Sequence, residues 1–233
     1  MNKYAISDIH GCLKTFKELL AKLNFSKQDE LYLLGDYIDR GPDSKGVIDH
    51  IWQLQEEGYQ IACIRGNHEQ MLLDCVDHED KFLLWEYNGG DTTMLSFGRR
   101  SVSEIPEPYM TWLNALPYYL EVENYILVHA GFKFDMPNPF EEKTAMLWQR
   151  DWYDRINYDW LGERTIIHGH TPISKLGIQD MVKYVKKRPV IDIDNGCVFG
   201  ARHSGMGRLC ALELNSLQPH FQKCIDNNYH LFS

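Results

Sequence analysis

The chain contains 233 residues, of which 44% are hydrophobic and 24% are charged, a composition typical of a globular protein with its own hydrophobic core. Its 33 acidic and 24 basic residues give a formal net charge of -9, which argues against extended electrostatic binding to nucleic acid or to an anionic membrane. No secretory signal is recognisable, no apolar run reaches the about 20 residues of a membrane-spanning helix, and the cysteines include no C-x-x-C pair. We therefore expect a cytoplasmic protein that forms a single domain over residues 1–233 and keeps isolated, reduced thiols.

Short apolar runs alternate with amphipathic stretches in the first part of the chain, which is the pattern of strands connected by helices. Strands are predicted at Lys3–Ser7, Glu30–Leu34 and Tyr59–Ile64. Helices are predicted at Cys12–Leu23, at Ser44–Glu57 and from about Glu69. Residues 77–116 keep a mainly helical pattern with breaks at Asn88-Gly89-Gly90 and Pro106, and we expect a helical or irregular specificity segment there.

The second half of the sequence is richer in predicted strands. A hairpin is predicted from Tyr118–Val122 and Tyr125–His129, followed by an irregular stretch to Gly162. Further strands are predicted at Thr165–His168, Val182–Val185, Val190–Ile193, Arg208–Leu214 and near His220–Lys223. Because no linker separates the two halves, we expect them to share one core in an α/β domain.

Residues with catalytic or metal-binding chemistry are concentrated directly after predicted strands. Five clusters do so: Asp8-Ile9-His10-Gly11, Gly35-Asp36 through Gly41, Arg65-Gly66-Asn67-His68-Glu69, His129-Ala130-Gly131 and His168-Gly169-His170-Thr171-Pro172. Taken singly, such a cluster is as compatible with a helix cap or a surface ion pair as with a site. Because ligands bind beyond the carboxyl ends of strands in open α/β sheets, the five together predict one active site.

The residue types in these clusters indicate a metal centre. Aspartate and asparagine supply oxygen donors and histidine supplies imidazole nitrogen, a mixture that suits Mn²⁺, Fe or Zn²⁺ better than Mg²⁺ or Ca²⁺. The candidates are too many for one tetrahedral ion. Two ions about 3.5–4 Å apart would use them all and would clamp the attacking and leaving oxygens of a phosphoryl displacement. Asp36 is the expected bridging ligand.

The motifs Asp8-x-His10, Gly35-Asp36-x-x-Asp39-Arg40-Gly41 and Gly66-Asn67-His68-Glu69, followed by His129 and His170, carry a family resemblance. The chain resembles the calcineurin-like metallophosphoesterases and, within them, the PPP-type serine/threonine protein phosphatases. Its short length, His170-Thr171-Pro172, Leu147-Trp148-Gln149-Arg150 and Ile193-Asp194-Asn195-Gly196 are most similar to the bacterial and bacteriophage-lambda-type branch. The resemblance implies a four-layer αββα sandwich with a dinuclear site at one sheet edge.

The resemblance also implies a role for each matching residue. One metal would be held by Asp8, His10 and Asp36, and the other by Asp36, Asn67, His129 and His170. A hydroxide bridging two divalent ions, Mn²⁺ or alternatively Fe or Zn²⁺, would attack phosphorus directly without a phosphoenzyme. His68 would protonate the leaving group and Asp39 would orient His68. The phosphate would be bound by Arg40, Arg150 and Asn67, although a structural salt bridge is an alternative role for Arg150.

Several neighbouring residues have structural interpretations. His168 is expected to be a buried strand residue, and Arg65 and Glu69 are expected to brace the turn that carries Asn67 and His68. Asp192 and Asp194 either orient a ligand histidine or form a turn. The aromatic residues of the stretch from Trp148 to Trp160 are expected to pack in the core.

The resemblance makes phosphomonoesterase activity the main functional hypothesis. The expected substrates are proteins that carry phosphoserine or phosphothreonine, or small phosphomonoesters. We expect neither nucleic acid, a membrane nor a regulatory subunit as a partner. The alternatives are a symmetrical dinucleoside tetraphosphate hydrolase and a broad-specificity phosphatase or phosphodiesterase. Asp39, Glu69 and Thr171-Pro172 are more similar to the protein phosphatases. A third hypothesis, a non-catalytic interaction module, is disfavoured because the chain retains every ligand and the acid histidine.

Overall fold

The strands of the protein are short apolar runs whose side chains point alternately to two buried faces. In the computed structural model, which describes residues 1–202 and 204–226, they are β1 (Lys3–Ile6), β2 (Glu30–Leu33), β3 (Gln60–Cys63), β4 (Tyr119–Val122), β5 (Tyr125–Val128), β6 (Thr165–His168), β7 (Val190–Asp192), β8 (Arg208–Glu213) and β9 (Gln218–Lys223). They form two mixed sheets, with strand orders β3-β2-β1-β8-β9 and β4-β5-β6-β7. β1, β2 and β3 are parallel to one another, as are β5, β6 and β7, whereas β8, β9 and β4 pair antiparallel with their neighbours.

The alternation along each strand builds four layers. In β1, Tyr4 and Ile6 pack against the helices, whereas Ala5 belongs to the core between the two sheets. In β5, Leu127 belongs to that same central core, and Ile126 packs on the opposite face against short helices. The predicted αββα sandwich is therefore confirmed, with one core between the sheets and one on the outer face of each.

Most of the helices cover the outer faces of the two sheets, whereas the last helix also contributes Ile178 to the core between them. Their bounds are α1 (Leu13–Lys22), α2 (Ser44–Glu56), α3 (Asn67–Asp77), α4 (Phe82–Trp85), α5 (Asp91–Phe97), α6 (Glu107–Ala115), α7 (Lys143–Trp148), α8 (Tyr158–Leu161) and α9 (Lys175–Tyr184). Phe16 and Leu19 of α1 and Val47 and Ile51 of α2 are fully buried against the first sheet. The α2 helix begins where the Asp43 carboxylate accepts a hydrogen bond of 2.9 Å from the Gly46 N–H.

The predicted strand at Val182–Val185 is wrong, because these residues belong to the end of α9 and the turn after it. Ser174 caps this helix by accepting from the Gly177 N–H, and Ile178 is buried in the core between the sheets. A short apolar run does not distinguish a strand from a buried helix turn. The stretch before Gly162, predicted as irregular, contains α7 and α8.

The third helix begins at Asn67, two residues before its predicted start. This difference places Asn67 and His68 in the first helical turn. Residues 77–116 contain the end of α3 and all of α4, α5 and α6, as the mainly helical pattern predicts. Within residues 1–202 and 204–226, no helix has both the length and the apolar character needed to cross a bilayer.

Candidate active site

The predicted site residues other than Arg150 meet at one edge of the paired sheets because each follows the carboxyl end of a parallel strand. Asp8 and His10 follow β1, and Asp36, Asp39 and Arg40 follow β2. Asn67 and His68 follow β3, while His129 and His170 follow β5 and β6 of the second sheet. All of these side chains except Arg40 are buried. The two sheets thus contribute to one cluster.

The backbone of this cluster is conformationally strained. Among the described non-glycine residues, ten have a positive φ, and six of them are predicted site residues: Asp8, His10, Asp36, Asp39, Arg40 and His170. Left-handed backbone conformations are unfavourable for residues with a Cβ and persist where the surroundings enforce them. Such strain is typical of active sites, because it directs several side chains to one point.

A first group of ligand atoms surrounds Asn67. Its Oδ1 lies 2.8 Å from Nε2 of His129 and 2.9 Å from Nδ1 of His170. Oδ1 of Asp36 lies 3.4 Å from the same Nε2 of His129. Ligand atoms of Asp36, His129 and His170 are close enough together to hold one metal ion. The structure therefore brings together the four residues predicted for one of the two metals.

A second group lies on the other side of Asp36. Oδ2 of Asp36 is 3.4 Å from Nε2 of His10 and 3.9 Å from Nε2 of His68. Asp8 lies further out, with its Oδ1 4.0 Å from Nε2 of His10 and its Oδ2 accepting from the His170 N–H at 3.0 Å. Asp36 is thus the carboxylate common to both groups, as expected for a bridging ligand.

The donor atoms of this cluster fit divalent cations. Nδ1 of His10 donates to the Ile38 carbonyl at 2.9 Å, and Nδ1 of His129 donates to the Leu34 carbonyl at 2.8 Å. Each neutral ring therefore presents the lone pair of Nε2 to the carboxylate of Asp36, which is the usual orientation of a metal-binding histidine. Facing lone pairs repel one another unless a cation lies between them.

The electrostatics of the cluster point to the same conclusion. Burial raises the pKa of Asp36 well above its ordinary value, and the charges of Asp8 and Glu69 raise this pKa further. Burial lowers the pKa of His10, as does the positive charge of Arg40. Burial also lowers the pKa of His129 and of His170. A cluster of buried carboxylates and neutral imidazoles is stabilised when cations bind between them, because the cations compensate the negative charge.

His68 is oriented by a buried carboxylate. Its Nδ1 donates to Oδ2 of Asp39 at 2.7 Å, which leaves Nε2 facing the ligand cluster. The same Oδ2 accepts from Nε1 of Trp85 at 2.8 Å, and Oδ1 accepts from Oγ1 of Thr93 at 2.6 Å. Burial raises the pKa of Asp39, whereas the hydrogen bonds from Thr93 and Trp85 lower it. Asp39 and His68 thus form a fixed pair.

The sequence reasoning missed Trp85 and Thr93. Both lie in the segment 77–116, which reaches the site and donates two hydrogen bonds to the carboxylate of Asp39. A second contact of this segment joins the Arg40 N–H to the Gly89 carbonyl at 3.1 Å. Nothing in the sequence pattern pairs residues of this segment with those of the site. Only the fold brings them together.

The two predicted arginines lie at different depths. Nη1 of Arg40 is 2.9 Å from Nε2 of His10, so its guanidinium borders the ligand cluster directly. Arg150 is exposed and donates from Nη1 to Oγ1 of Thr171 at 3.0 Å, next to His170. Among the described residues, no carboxylate forms a salt bridge with Arg150.

Glu69 and Arg65 brace the loops, in agreement with the structural interpretation. The buried Glu69 carboxylate accepts hydrogen bonds of 2.8–2.9 Å from the N–H groups of Asp36, Tyr37 and Gly66. Arg65 donates to Oε1 of Gln70 at 2.8 Å. Glu69 therefore ties the loop after β2 to the start of α3.

Asp192 and Asp194 accept from backbone N–H groups two residues further on, at 2.9 Å from Asp194 and 2.7 Å from Gly196. These contacts favour the turn interpretation for both carboxylates. His168 is buried, with its Nε2 2.8 Å from the Tyr153 hydroxyl, as expected for a structural residue.

The aromatic stretch after Trp148 divides into two parts. Trp152 is buried in the outer core of the second sheet, as expected. Trp148 differs, because 42% of it is exposed and its ring stands edge-on to that of His170 at 6.1 Å between centroids. The packing interpretation is therefore wrong for Trp148, which borders the site, and for Tyr158, of which 53% is exposed.

The fold and the ligand cluster together define a metallophosphoesterase. Residues 1–201 match the family described as calcineurin-like phosphoesterase, and the chain belongs to this family. The family uses a pair of divalent metal ions, for which this chain has candidate ligand groups.

Two curated relatives resemble most of the chain. Serine/threonine-protein phosphatase 1 of Salmonella typhimurium is 29% identical over an alignment of 215 positions, which covers 85% of this chain and 88% of the relative. The asymmetrical bis(5'-nucleosyl)-tetraphosphatase PrpE of Oceanobacillus iheyensis is 28% identical over an alignment of 225 positions, which covers 84% of each protein.

A solved structure shares the fold. The Saccharomyces cerevisiae protein serine/threonine phosphatase with similarity to human phosphatase PP5 superposes with a TM-score of 0.71 at 16% identity. The superposition covers 97% of this chain and 81% of that one.

Proposed function

We propose that this metallophosphoesterase is a phosphomonoesterase that hydrolyses phosphoserine and phosphothreonine in proteins. The observation that carries the proposal is the pair of ligand groups sharing Asp36, with the His68–Asp39 pair beside them. The Salmonella relative, named a serine/threonine-protein phosphatase, supports the choice of substrate.

The two ligand groups would hold a pair of divalent ions. We assign Asp8, His10 and Asp36 to one ion, and Asp36, Asn67, His129 and His170 to the other. Mixed oxygen and nitrogen donors favour Mn²⁺, and they also suit Fe and Zn²⁺. When bound, the ions supply Lewis-acid activation of water and of the phosphoryl oxygens.

His68 is the proposed general acid. Because Nδ1 donates to Asp39, the proton that His68 delivers is carried on Nε2, the atom that faces Asp36 at 3.9 Å. The carboxylate of Asp39 fixes the ring orientation and favours its protonated form. Delivery of this proton to the leaving oxygen neutralises the alkoxide that serine or threonine would otherwise become.

Arg40, Arg150 and Asn67 are the proposed phosphate-binding residues. A guanidinium can donate two parallel hydrogen bonds to a phosphate, and Arg40 and Arg150 approach the cluster from different sides. Arg40 lies beside His10, whereas Arg150 lies beside Thr171. The two positive charges would thus hold a dianionic phosphoryl group between them, next to Asn67.

We propose that residues 77–116 form the specificity segment of a single domain over residues 1–233. We also assign the protein to the cytoplasm. The net charge of -9 supports the proposal that neither nucleic acid nor an anionic membrane is a partner. The proposed partners are phosphoproteins or small phosphomonoesters, and we propose no regulatory subunit.

A dinucleoside tetraphosphate hydrolase is the second candidate function, because the Oceanobacillus relative is named as one. This candidate includes symmetrical as well as asymmetrical cleavage of the tetraphosphate chain. The buried Asp39 beside His68 supports the first candidate, since an alkoxide leaving group needs a proton more than a nucleotide phosphate does.

Turnover on matched substrates tests the proposal. With Mn²⁺ present, kcat/KM is compared for phosphoserine, phosphothreonine and phosphotyrosine peptides and for diadenosine tetraphosphate. We expect the phosphoserine and phosphothreonine peptides to be preferred at least about tenfold, a difference of 1.4 kcal/mol in transition-state stabilisation. Preference for diadenosine tetraphosphate would select the second candidate, and the products would show whether cleavage is symmetrical.

A further inference from the structure

Three cysteine thiols form a group that the proposed reaction does not use. Cys12 lies directly before α1, Cys197 follows β7, and Cys224 follows β9. Their sulfur atoms all lie within 4.8 Å of one another, and Sγ of Cys12 is 4.0 Å from Sγ of Cys224. Cys12 and Cys197 are buried, and Cys224 is partly exposed. The expectation of isolated thiols is wrong for these three.

The separation of the sulfur atoms matches a metal site. Zinc binds thiolates at about 2.3 Å, so three sulfurs around one tetrahedral ion lie about 3.8 Å apart. The 4.0 Å contact between Cys12 and Cys224 is close to that value. A disulfide requires its sulfurs to approach to about 2.05 Å and can join only two of the three.

The surrounding backbone holds the thiols in place. Cys12 occupies the N-cap of α1, a helix of 10 residues, so its position is set by the start of that helix. The carboxylate of Asp226 accepts from the N–H of Thr15 at 2.9 Å and from its hydroxyl at 2.6 Å. Cys224 is thereby fixed against the start of α1 before any ion binds.

We propose that Cys12, Cys197 and Cys224 form a second metal site, which binds one thiophilic divalent cation of the Zn²⁺ class and leaves the fourth position to water. Binding replaces three S–H bonds by three sulfur–metal bonds, releases three protons to solvent and needs no oxidant. Thiolates select Zn²⁺ or Cd²⁺ over Mn²⁺, which prefers oxygen ligands. The two metal sites therefore differ in the ions that they accept.

The site would tie together three distant parts of the chain. Cys12 is two residues from the predicted ligand His10, and the intervening Gly11 donates to the Tyr37 carbonyl at 2.8 Å. A bound ion would therefore join the C-terminal strand and the turn at Cys197 to the loop that carries Asp8 and His10. Because the ion binds only the folded arrangement, it stabilises the native state by mass action.

Cadmium titration tests the proposal. The full chain is stripped of metal with a chelator, reduced, kept free of oxygen and titrated with Cd²⁺ while thiolate-to-metal charge-transfer absorption is followed. We expect the absorption to saturate at about one equivalent, as one three-thiolate site requires. Asp36→Asn, which removes the shared carboxylate of the predicted catalytic centre, should retain the absorption.

Matched cysteine variants locate the site. Cys224→Ser should weaken Cd²⁺ binding by more than about 100-fold. Replacing a residue that only hydrogen-bonds to a metal ligand already lowers metal affinity about 10–100-fold, and Cys224 is itself a proposed ligand. Cys75→Ser is the control, because Cys75 is buried outside the group and its thiol donates to the Met71 carbonyl at 3.1 Å, a role that serine can fill. With Mn²⁺ present to fill the predicted catalytic centre, Cd²⁺ should raise the Tm of the wild type and of this control, but not that of Cys224→Ser.

A measurement on the unaltered chain covers the case in which Cys224→Ser does not fold. Cd²⁺, but not Mn²⁺, should protect Cys224 from alkylation by iodoacetamide, as mapped by peptide mass. No charge-transfer absorption in the wild type, equal absorption in Cys224→Ser, or unprotected Cys224 would each overturn the proposal. A Cys12–Cys224 disulfide formed under mild oxidation in a chain that does not bind Cd²⁺ would also overturn it.

Discussion

The ligand loops and the segment 77–116 contribute to the same site in different ways. The loops after the parallel strands present their own side chains, and their strained backbone fixes where those side chains point. The segment presents no predicted ligand, yet Trp85 and Thr93 donate to the carboxylate that orients His68. We therefore expect the loops to determine which chemistry takes place and the segment to determine the environment of His68.

The outer surfaces of the two regions differ as well. Asp8, His10 and Asp36 are almost fully buried. In the segment, Leu83, Leu84 and Tyr87 are 72%, 60% and 89% exposed. Large exposed apolar side chains are accessible to a macromolecular substrate, whereas the buried predicted ligands are not. The comparison predicts that changes in the loops abolish turnover and that changes in the segment modulate it.

The largest effect is expected from Asp36→Asn, because this carboxylate belongs to both ligand groups. Loss of metal should accompany a fall in kcat of at least about 10³-fold, more than the 10²–10³ lost when one electrostatic contributor is removed. Metal content by elemental analysis and steady-state kinetics check this. Full occupancy of two ions in the variant would refute the bridging role.

A large effect confined to one step is expected from His68→Asn. Metal content should remain near that of the wild type, while kcat for a phosphoserine peptide falls about 10²–10⁴-fold. For p-nitrophenyl phosphate the fall should be smaller, because its leaving group needs little protonation. Equal losses for the two substrates would contradict the role of general acid.

An intermediate effect with a pH signature is expected from Trp85→Phe. The hydrogen bond from Trp85 lowers the pKa of Asp39, so its loss raises that pKa and protonates Asp39 at a higher pH. A protonated Asp39 accepts from Nδ1 of His68 more weakly and no longer stabilises the charged form of that ring. We expect the acid limb of the kcat profile to move to higher pH, with a fall of about tenfold in kcat below it.

Trp52→Phe is the matched control for that experiment. Trp52 packs against Tyr109 with ring centroids 4.7 Å apart, in the helical layer away from Asp39. Its substitution should change stability by about 1–2 kcal/mol or less and leave the pH profile in place. The same shift in both variants would mean that general loosening, and not the hydrogen bond to Asp39, produces it.

The smallest effect is expected from Trp148→Ala at the edge of the site. We expect KM for aryl phosphates to rise about 3–10-fold with kcat unchanged, as when one aromatic contact of about 1 kcal/mol is lost. Tyr158→Ala removes an aromatic side chain that is 53% exposed in the same stretch and should leave KM unchanged. A change in kcat without a change in KM would mean that Trp148 positions the ring of His170 and does not bind substrate.

The sequence is most informative where residues with metal-binding or catalytic side chains come directly after a predicted strand. Asp8, Asp36 and Asn67 are recognisable because alternating apolar runs predict the strands and parallel strands end at one edge. The ligand assignments themselves remain predictions that metal analysis of the variants will test. The bounds of the strands were predicted to within one or two residues in most cases, apart from Val182–Val185.

Contacts between distant segments were not predictable in the same way. Trp85 and Thr93 lie 46 and 54 residues from Asp39, and no local pattern pairs them with it. Cys12 and Cys224 are 212 residues apart. Local periodicity reports which face of an element is buried, but it does not report which partner covers that face.

The hydrogen bond between the Arg40 N–H and the Gly89 carbonyl has a consequence for how such proteins diversify. A Cβ at Gly89 would lie 2.7 Å from Cγ of Arg40 and 2.8 Å from its backbone nitrogen, so this position accepts no larger residue without moving the arginine. Gly89 therefore forms, together with Trp85 and Thr93, a three-point attachment through which the segment joins the ligand loops. We expect a chimera that keeps these three residues and replaces the exposed positions around them to change substrate preference while the predicted metal-binding loops keep their structure.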